Sequence, residues 1–140
     1  MKDLSILDNL IIGRVEPHIY AFTTNTIPNY LKVGDTYRPV SKRLSEWEEY
    51  YPNLEKQFEG SAKITDSVFF RDHSVHYFLE SWKHRTRLEV KDIPEGTYYS
   101  REFFKEATVD DIKDAITDIH EDYHSKTGKY HYYDAKTQLP

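Results

Sequence analysis

Five side chains of this sequence break the packing pattern of the segments that carry them, and their types suit an anion-binding or metal-binding centre. In chain order they are Tyr20, Lys32, Arg43, Asp72 and His76. The Arg43 guanidinium is a permanently charged fork that suits a phosphate. The Asp72 carboxylate can hold an oxygen-preferring cation, and the His76 imidazole exchanges protons near neutral pH. Together they predict a site that binds an anion, a metal ion or both.

Arg43 lies on a predicted amphipathic helix. The apolar positions of this helix recur at helical spacing: Val40, Leu44, Trp47 and Tyr51. Pro39 suits the first helical position, where its missing N–H costs nothing, and Pro52 ends the segment. Arg43 falls on the shoulder of the apolar stripe, so its stem can pack while its charged head reaches a cleft. The alternative is a surface arginine paired with Glu46 or Glu48.

Asp72 and His76 lie on a second predicted helix, which we expect to begin at a cap formed by Asp66 or Ser67. The apolar stripe of this helix is Val68, Val75, Leu79 and Trp82. Asp72 falls on the stripe, where an unpaired carboxylate is costly. A metal ion, His76 one turn later, or the neighbouring Arg71 could compensate the charge.

Tyr20 and Lys32 lie on two predicted strands. Residues 18–23 and 30–34 are rich in β-formers, and residues 24–29 between them have the composition of a loop. Such an arrangement predicts an antiparallel hairpin. Because side chains alternate along a strand, Tyr20 and Lys32 should project to the same side of the sheet. A weaker third strand is expected within residues 54–64.

The rest of the chain is predicted to be mainly helical. Thr108 and Asp111 have the spacing of a capping box, and an apolar stripe predicts a helix over residues 109–123 with an acidic outer face. Residues 3–13 predict a short helix, and the aromatic stretch 98–104 is compatible with an extended segment. The predicted fold is α/β, more narrowly α+β, with a small antiparallel sheet flanked by helices. We expect an N-terminal docking helix in residues 1–16, the main domain in 17–105, and a C-terminal helix with a Tyr-rich tail in 106–140.

Composition limits the function classes. The 140 residues fit one domain, and an aromatic content of 15% is too high for a disordered chain. The sequence has no cysteine, which excludes a disulfide scaffold, a zinc–thiolate site and a cysteine nucleophile. No apolar run approaches the ~20 residues of a membrane span. We see no secretory signal, so we expect a cytoplasmic protein without a membrane partner.

The net charge of −5 argues at first against a nucleic-acid partner, but the charge is unevenly distributed. Residues 30–47 contain four basic and two acidic side chains, and residues 83–91 contain four basic and one acidic. Residues 102–122 contain eight acidic side chains and two basic ones. A local basic surface can bind phosphates although the total charge is negative. An ordinary mixed-charge surface is the alternative.

The order and spacing of these pieces resemble the GIY-YIG nuclease superfamily. The resemblance is greater to the phage and bacterial branch, in which the second half of the signature reads Lys-Ile/Val-Gly. The matching pieces are His18-Ile19-Tyr20, Lys32-Val33-Gly34-Asp35-Thr36, Arg38, Arg43-Leu44, Asp72 with His76 four residues later, and Glu102-Phe103-Phe104. None is specific alone, but their co-occurrence in one order is a stronger signal.

The resemblance implies a three-stranded antiparallel sheet and a metal-dependent endonuclease that hydrolyses phosphodiester bonds in DNA, with RNA not excluded. The implied cofactor is a single Mg²⁺ or Mn²⁺ ion. The implied catalytic residues are Tyr20, Lys32, Arg43 and His76, the implied substrate-binding residues are Gly34, Thr36, Arg38 and Lys42, and the implied metal ligand is Asp72. In this scheme Tyr20 orients the attacking water, His76 accepts a proton and Lys32 contacts phosphate.

The sequence departs from the wider family pattern at three positions: His18 replaces Gly, Lys32 replaces the second Tyr, and Asp72 replaces a metal-binding Glu. These changes support an alternative, a catalytically decayed nuclease fold that serves as a nucleic-acid-binding or protein-binding module. A longer protein with a C-terminal helicase-like or other domain is a further possibility.

Each site residue also has a structural alternative. Tyr20 could be a half-buried strand tyrosine, Lys32 an exposed strand lysine and His76 a purely structural histidine. Glu102 is expected only to cap or pair locally.

Overall fold

The computed structural model describes residues 16–135, and its main element is a four-stranded antiparallel sheet. The strands are β1 (His18–Thr24), β2 (Ile27–Thr36), β3 (Glu55–Ser61), β4 (Val68–Phe69), β5 (Phe103–Lys105) and β6 (Tyr133–Asp134). The helices are α1 (Val40–Trp47), α2 (Asp72–Ser81) and α3 (Val109–Ser125). The main sheet has the order β3-β1-β2-β5, and β4 pairs with β6 in a separate ribbon. The predicted helix at residues 3–13 lies outside the described residues.

The structure confirms the α+β fold and adds one strand to the predicted sheet. We expected three strands, but β5 pairs with the other side of β2, joining Tyr30 to Lys105 and Lys32 to Phe103. This strand is only three residues long, too short for a clear alternation of apolar and polar side chains in the sequence.

The β1–β2 hairpin has the predicted pairing. Tyr20 lies opposite Gly34 and Phe22 opposite Lys32, so Tyr20 and Lys32 project to the same face of the sheet. The connection is tighter than the six-residue loop that we expected, because the pairing shifts after Phe22 and resumes between Thr24 and Ile27. A turn of only two residues then joins the strands.

The sheet separates two apolar cores. One core, on the α1 side, contains Tyr20, Phe22, Val40, Leu44, Trp47, Tyr51, Leu88 and Phe103. The other, on the side of α2 and α3, contains Ile19, Ala21, Leu31, Val33, Val75, Leu79, Phe104, Ile112, Ala115 and Ile119. The predicted stripe Val40, Leu44, Trp47 and Tyr51 is buried, but α1 is shorter than we predicted. It begins after Pro39 and ends at Trp47, so Tyr51 follows the helix.

Helix α2 begins later than we predicted. We expected a cap at Asp66 or Ser67, but Val68–Phe69 forms β4 and the helix starts at Asp72. The apolar run around Phe69 is compatible with a buried strand as well as a helix, and pairing with β6 decides between them. Trp82 is also not on the buried stripe, because it follows the helix and is 56% exposed.

Helix α3 confirms the predicted C-terminal helix. Thr108 Oγ1 accepts a hydrogen bond from the Asp111 N–H, and the Asp111 side chain accepts one from the Thr108 N–H, which completes the capping box. Near its end, Asp122 accepts hydrogen bonds from the backbone of Lys129 and Tyr130. These bonds hold the following segment against the helix.

Candidate active site

A cluster of three potential metal ligands lies where α2 meets the edge of the main sheet. Atoms from Asp72, His76 and Glu102 that can each bind a metal ion all lie within 4.8 Å of one another. Asp72 and His76 come from successive turns of α2, and Glu102 immediately precedes β5. The Val33 N–H donates to the Glu102 carbonyl at 2.9 Å, which holds Glu102 beside β2.

Asp35 fixes the beginning of α2 against β2. Its carboxylate accepts hydrogen bonds from Arg71 Nε at 2.9 Å and from the Asp72 N–H at 3.0 Å. It therefore supplies the N-terminal cap of a helix that lies far from it in sequence. Sequence reasoning did not identify Asp35 as a site residue. The available signal was that Asp35 directly follows Gly34 and that a basic residue, Arg71, directly precedes Asp72 and could pair with it.

The Asp72 carboxyl group has an unusual electrostatic environment. Burial, together with the negative charges of Asp35 and Glu102, raises the pKa of Asp72 to about 8. Arg71 and Lys32 oppose this rise only in part. A carboxyl group in such surroundings is stabilised in its ionised form by a bound cation.

His76 is buried and has a defined hydrogen-bond partner. Its Nε2 lies 2.8 Å from the Val33 carbonyl oxygen, which can only accept, so Nε2 carries the hydrogen. Burial lowers the pKa of His76 to about 4, and the neutral ring then has its lone pair on Nδ1. A neutral imidazole oriented by a backbone carbonyl is typical of a metal ligand. This environment favours binding a cation over accepting a proton at neutral pH.

Lys32 forms an ion pair with Glu102, one of the three residues of the cluster. Lys32 Nζ lies 2.7 Å from Glu102 Oε1, and the lysine side chain is 0% exposed. The ammonium also lies 4.2 Å from the centre of the Trp47 ring. Burial lowers the pKa of Lys32, although Glu102 opposes the shift. The alternative of an exposed strand lysine is therefore wrong.

Glu102 is a second residue of the candidate site that sequence reasoning missed. We expected it only to cap or pair locally, but its partner Lys32 is 70 positions away. Burial alone would raise the pKa of Glu102, but the charge and hydrogen bond of Lys32 leave it below its usual value. Its only sequence signal was its place in the Glu-Phe-Phe piece of the resemblance.

Tyr20 lies on the α1 side of the site with a fixed hydroxyl. The Tyr20 oxygen accepts a hydrogen bond from Trp47 Nε1 at 2.7 Å, and the side chain is fully buried. Burial raises the pKa of Tyr20 to about 12, against the opposing effects of Arg43 and Trp47. The phenol therefore keeps its proton at neutral pH and can donate a hydrogen bond.

Gly34 makes room for the Tyr20 hydroxyl. A Cβ atom at position 34 would lie 2.6 Å from the Tyr20 oxygen and 3.1 Å from Lys32 Nζ. Gly34 was predicted to bind substrate, but its observed contribution is the space that lets two functional side chains meet over β2.

Arg43 lies beside Tyr20 with its guanidinium partly open. Its Nη1 donates to Glu46 Oε1 at 2.9 Å, which confirms the expected local pair, and the guanidinium lies 4.7 Å from the Trp47 ring centre. The side chain is 33% exposed, and its charge acts on both Tyr20 and Lys32. Its contacts to Glu46 and to the Tyr20 side chain leave other N–H donors of the guanidinium for an anion.

The other predicted substrate-binding residues have different surroundings. Thr36 is buried, and its hydroxyl accepts from the Arg38 N–H at 3.1 Å. Arg38 forms a two-pronged pair with Glu46, with both bonds at 2.8 Å. Lys42 is exposed on α1. Within residues 16–135, neither Thr36 nor Lys42 has a hydrogen bond or ion pair to Asp72, His76 or Glu102.

Residues 17–120 match the family model described as the T5orf172 domain. The chain belongs to the T5orf172 domain family. No curated protein and no solved structure matches it. The matched region of this T5orf172 domain includes the main sheet, α1, α2 and the complete ligand cluster. Among residues 16–135, no helix is long and apolar enough to cross a bilayer.

The donor set of this T5orf172 domain fits a divalent cation. Two carboxylates and one imidazole are compatible with Mn²⁺, and the carboxylates alone suit Mg²⁺. The hydrogen bond of His76 to Val33 fixes the imidazole as in a prepared ligand, and a bound cation would offset the burial and the negative charges that raise the pKa of Asp72. The structure thus places His76 and Glu102, as further candidate ligands, beside the predicted ligand Asp72.

Proposed function

We propose that this T5orf172 domain is a metal-dependent endonuclease that hydrolyses phosphodiester bonds in DNA with Mg²⁺ or Mn²⁺. The observation that carries the proposal is the convergence of Asp72, His76 and Glu102 within 4.8 Å. Lys32 Nζ binds Glu102 of this cluster and also lies 5.5 Å from the centre of the Tyr20 ring, where the charge of Arg43 acts on it. The resemblance to GIY-YIG nucleases supports the same reaction.

The ligand cluster would hold the metal ion, and the remaining residues would hold the phosphate. A bound divalent ion supplies charge for the phosphate oxygens and for the leaving oxygen. Arg43 supplies N–H donors to the non-bridging oxygens from the partly exposed end of its guanidinium.

Tyr20 acts as a hydrogen-bond donor in this scheme. Its pKa of about 12 makes it a poor base, so it can orient a water molecule or a phosphate oxygen with its O–H. Trp47 fixes the oxygen from behind at 2.7 Å. Preorganised donors of this kind stabilise charge that develops in the transition state.

Lys32 is better suited to position Glu102 than to contact phosphate. Its ammonium is fully buried and already bound to Glu102. The ion pair keeps Glu102 ionised, so it can bind a cation through its second oxygen.

A plasmid-nicking assay tests the proposal. Wild type should nick supercoiled DNA in Mg²⁺ or Mn²⁺ and not in EDTA. Arg43→Ala should reduce the rate by at least about 10²-fold, since it removes a charged transition-state donor. It should keep its melting temperature, because Arg43 is partly exposed. Asp72→Asn should lose activity and gain stability, because it removes a buried carboxyl group.

Lys56→Ala is the control for Arg43→Ala, since Lys56 is an exposed basic side chain on β3 that pairs with Glu59 and belongs to no predicted site. It should nick at close to the wild-type rate. Wild type that nicks neither DNA nor a parallel RNA substrate, or Arg43→Ala that nicks as fast as wild type, would contradict the proposal.

The second candidate function is a binding module on a decayed nuclease fold. The Lys32–Glu102 ion pair favours it, because the ammonium already neutralises one of the three ligands. In that case the protein would bind DNA equally in EDTA and in Mg²⁺ and would never nick it. A helicase-like neighbouring domain and a cytoplasmic location stay predictions.

A further inference from the structure

We infer that a second basic pocket, beside the proposed nuclease centre, binds a backbone phosphate that flanks the scissile one on the same DNA. The pocket has a volume of about 490 Å³, and its basic side chains are Arg85, Arg87 and Arg101. This inference rests on the proposed function, since it assigns the flanking part of the substrate to a defined surface.

The pocket adjoins the ligand cluster through packed rings. The Arg87 guanidinium lies 4.9 Å from the centre of the Phe104 ring, and that ring lies 5.0 Å from the His76 ring. Glu80, which lines the pocket, follows His76 by one turn of α2. Arg101 lines the pocket and directly precedes Glu102. A polymer bound at the cluster would therefore extend over the pocket.

The backbone holds this pocket rigidly at the edge of the sheet. Residues 86–88 run beside β5, with the Lys105 N–H donating to the Thr86 carbonyl at 2.8 Å and the Leu88 N–H donating to the Phe103 carbonyl at 2.9 Å. Arg87 itself forms an isolated antiparallel bridge with Phe104 of β5. A site hydrogen-bonded to a strand is placed more accurately than one on a free loop.

The three guanidiniums keep donors available for a ligand. Arg85 uses Nε to bind Asp111 at 2.9 Å. Arg87 donates to Glu80 at 3.1 Å and to the Arg101 carbonyl at 3.3 Å. Each guanidinium has five N–H donors, so several remain on both. The exposed Arg101 side chain has no ion pair with any residue of the described range 16–135.

The charge of the pocket favours an anion over a cation. Its two carboxylates, Glu80 and Glu89, already have partners, since Glu80 binds Arg87 and Glu89 lies 3.4 Å from Lys91. The unmatched charge is that of Arg101. Arg101 lines the same pocket as Arg85 and Arg87 of the basic stretch 83–91, and no residue of that stretch belongs to the ligand cluster. Arginine is well suited to phosphate because two of its N–H groups can bind two oxygens together.

Salt-dependent DNA binding of Arg101→Gln tests the inference. Fluorescence anisotropy is measured in EDTA, which prevents cleavage, on short duplexes of two unrelated sequences. If Arg101 neutralises one phosphate, the slope of log K against log [KCl] should fall by about one in the variant. Affinity at 0.1 M KCl should fall by about tenfold on both sequences, because a phosphate contact reads no base.

Lys56→Gln is the control. Lys56 is an exposed basic side chain on β3 that pairs with Glu59, and it does not line the pocket. This variant should keep the wild-type slope. Arg101→Gln should keep the wild-type melting temperature. Arg87→Gln, which changes another lining residue of the pocket, should also lower the slope of log K against log [KCl].

The outcomes separate this inference from the proposed function. If wild type nicks plasmid DNA but Arg101→Gln keeps the wild-type slope and affinity, the pocket assignment is wrong and the nuclease stands. If the slope falls as expected but wild type never nicks, the nuclease is wrong and the pocket remains a phosphate site. Wild type that does not bind DNA overturns the pocket assignment.

Discussion

Tyr20, Gly34 and Lys32 share a volume too small for any additional side-chain atom. The Tyr20 oxygen is held by Trp47 at 2.7 Å, and a Cβ atom at position 34 would lie 2.6 Å from it. The hydroxyl position is thus fixed from two directions. If Tyr20 directs a water molecule or a phosphate oxygen, its function depends on a residue that has no side chain.

We therefore expect Gly34→Ala to reduce nicking far more than it reduces stability. The new methyl group must displace the Tyr20 hydroxyl, and a misplacement of about 1 Å can cost about 10²-fold in rate. The measurement is the nicking rate together with the melting temperature.

Gly60→Ala is the matched control, because a Cβ atom there would lie 2.8 Å from the Phe58 ring, in β3. It should have a similar steric cost and keep activity. Equal rates for both variants would show that Gly34 has no special role.

At the scale of elements, Asp35 connects strand β2 to helix α2. One carboxylate caps the helix through the Asp72 N–H and pairs with Arg71. The same contacts fix the direction of the first turn of α2, which carries Asp72. A change at Asp35 should therefore affect the ligand cluster without touching it.

We expect Asp35→Asn to lower the free energy of unfolding by about 1–2 kcal/mol, since it weakens a helix cap and a partly buried ion pair. It should also lower nicking, because Asp72 loses its fixed placement. Chemical denaturation and the nicking rate measure the two effects.

Asp114→Asn is the comparison, since the Asp114 side chain is 56% exposed and pairs only with Lys83 among residues 16–135. This variant should keep the free energy of unfolding within about 0.5 kcal/mol of wild type and the nicking rate within about twofold. An Asp35→Asn variant with full activity would contradict the proposed coupling.

At the scale of the whole molecule, short-range sequence patterns predicted most of the fold. The composition of the candidate site depends instead on pairing between strands that are distant in sequence. The stripe of α1, the capping box of α3 and the shared face of Tyr20 and Lys32 follow from short-range periodicity. The predicted start of α2 was wrong because the apolar residues near Phe69 fit the spacing of a helix as well as that of a strand. Pairing of β4 with β6 makes this segment a strand.

The ligand cluster shows what the sequence could not specify. Asp72 and His76 are one helical turn apart, so their proximity was predictable. Glu102 joins them only because β5, a strand of three residues, pairs with β2 on the side away from β1. Its ion pair with the buried Lys32 spans 70 positions and leaves no local pattern.

The central claim is that Asp72, His76 and Glu102 form one metal centre, and Mn²⁺ binding measured by electron paramagnetic resonance tests it most directly. Wild type should bind one Mn²⁺ per chain, with nitrogen coupling from the His76 ring. Asp72→Asn should weaken binding by about 10-fold or more, and His76→Gln should remove the nitrogen coupling. Wild type without bound Mn²⁺, or Asp72→Asn with unchanged affinity and coupling, would contradict the account.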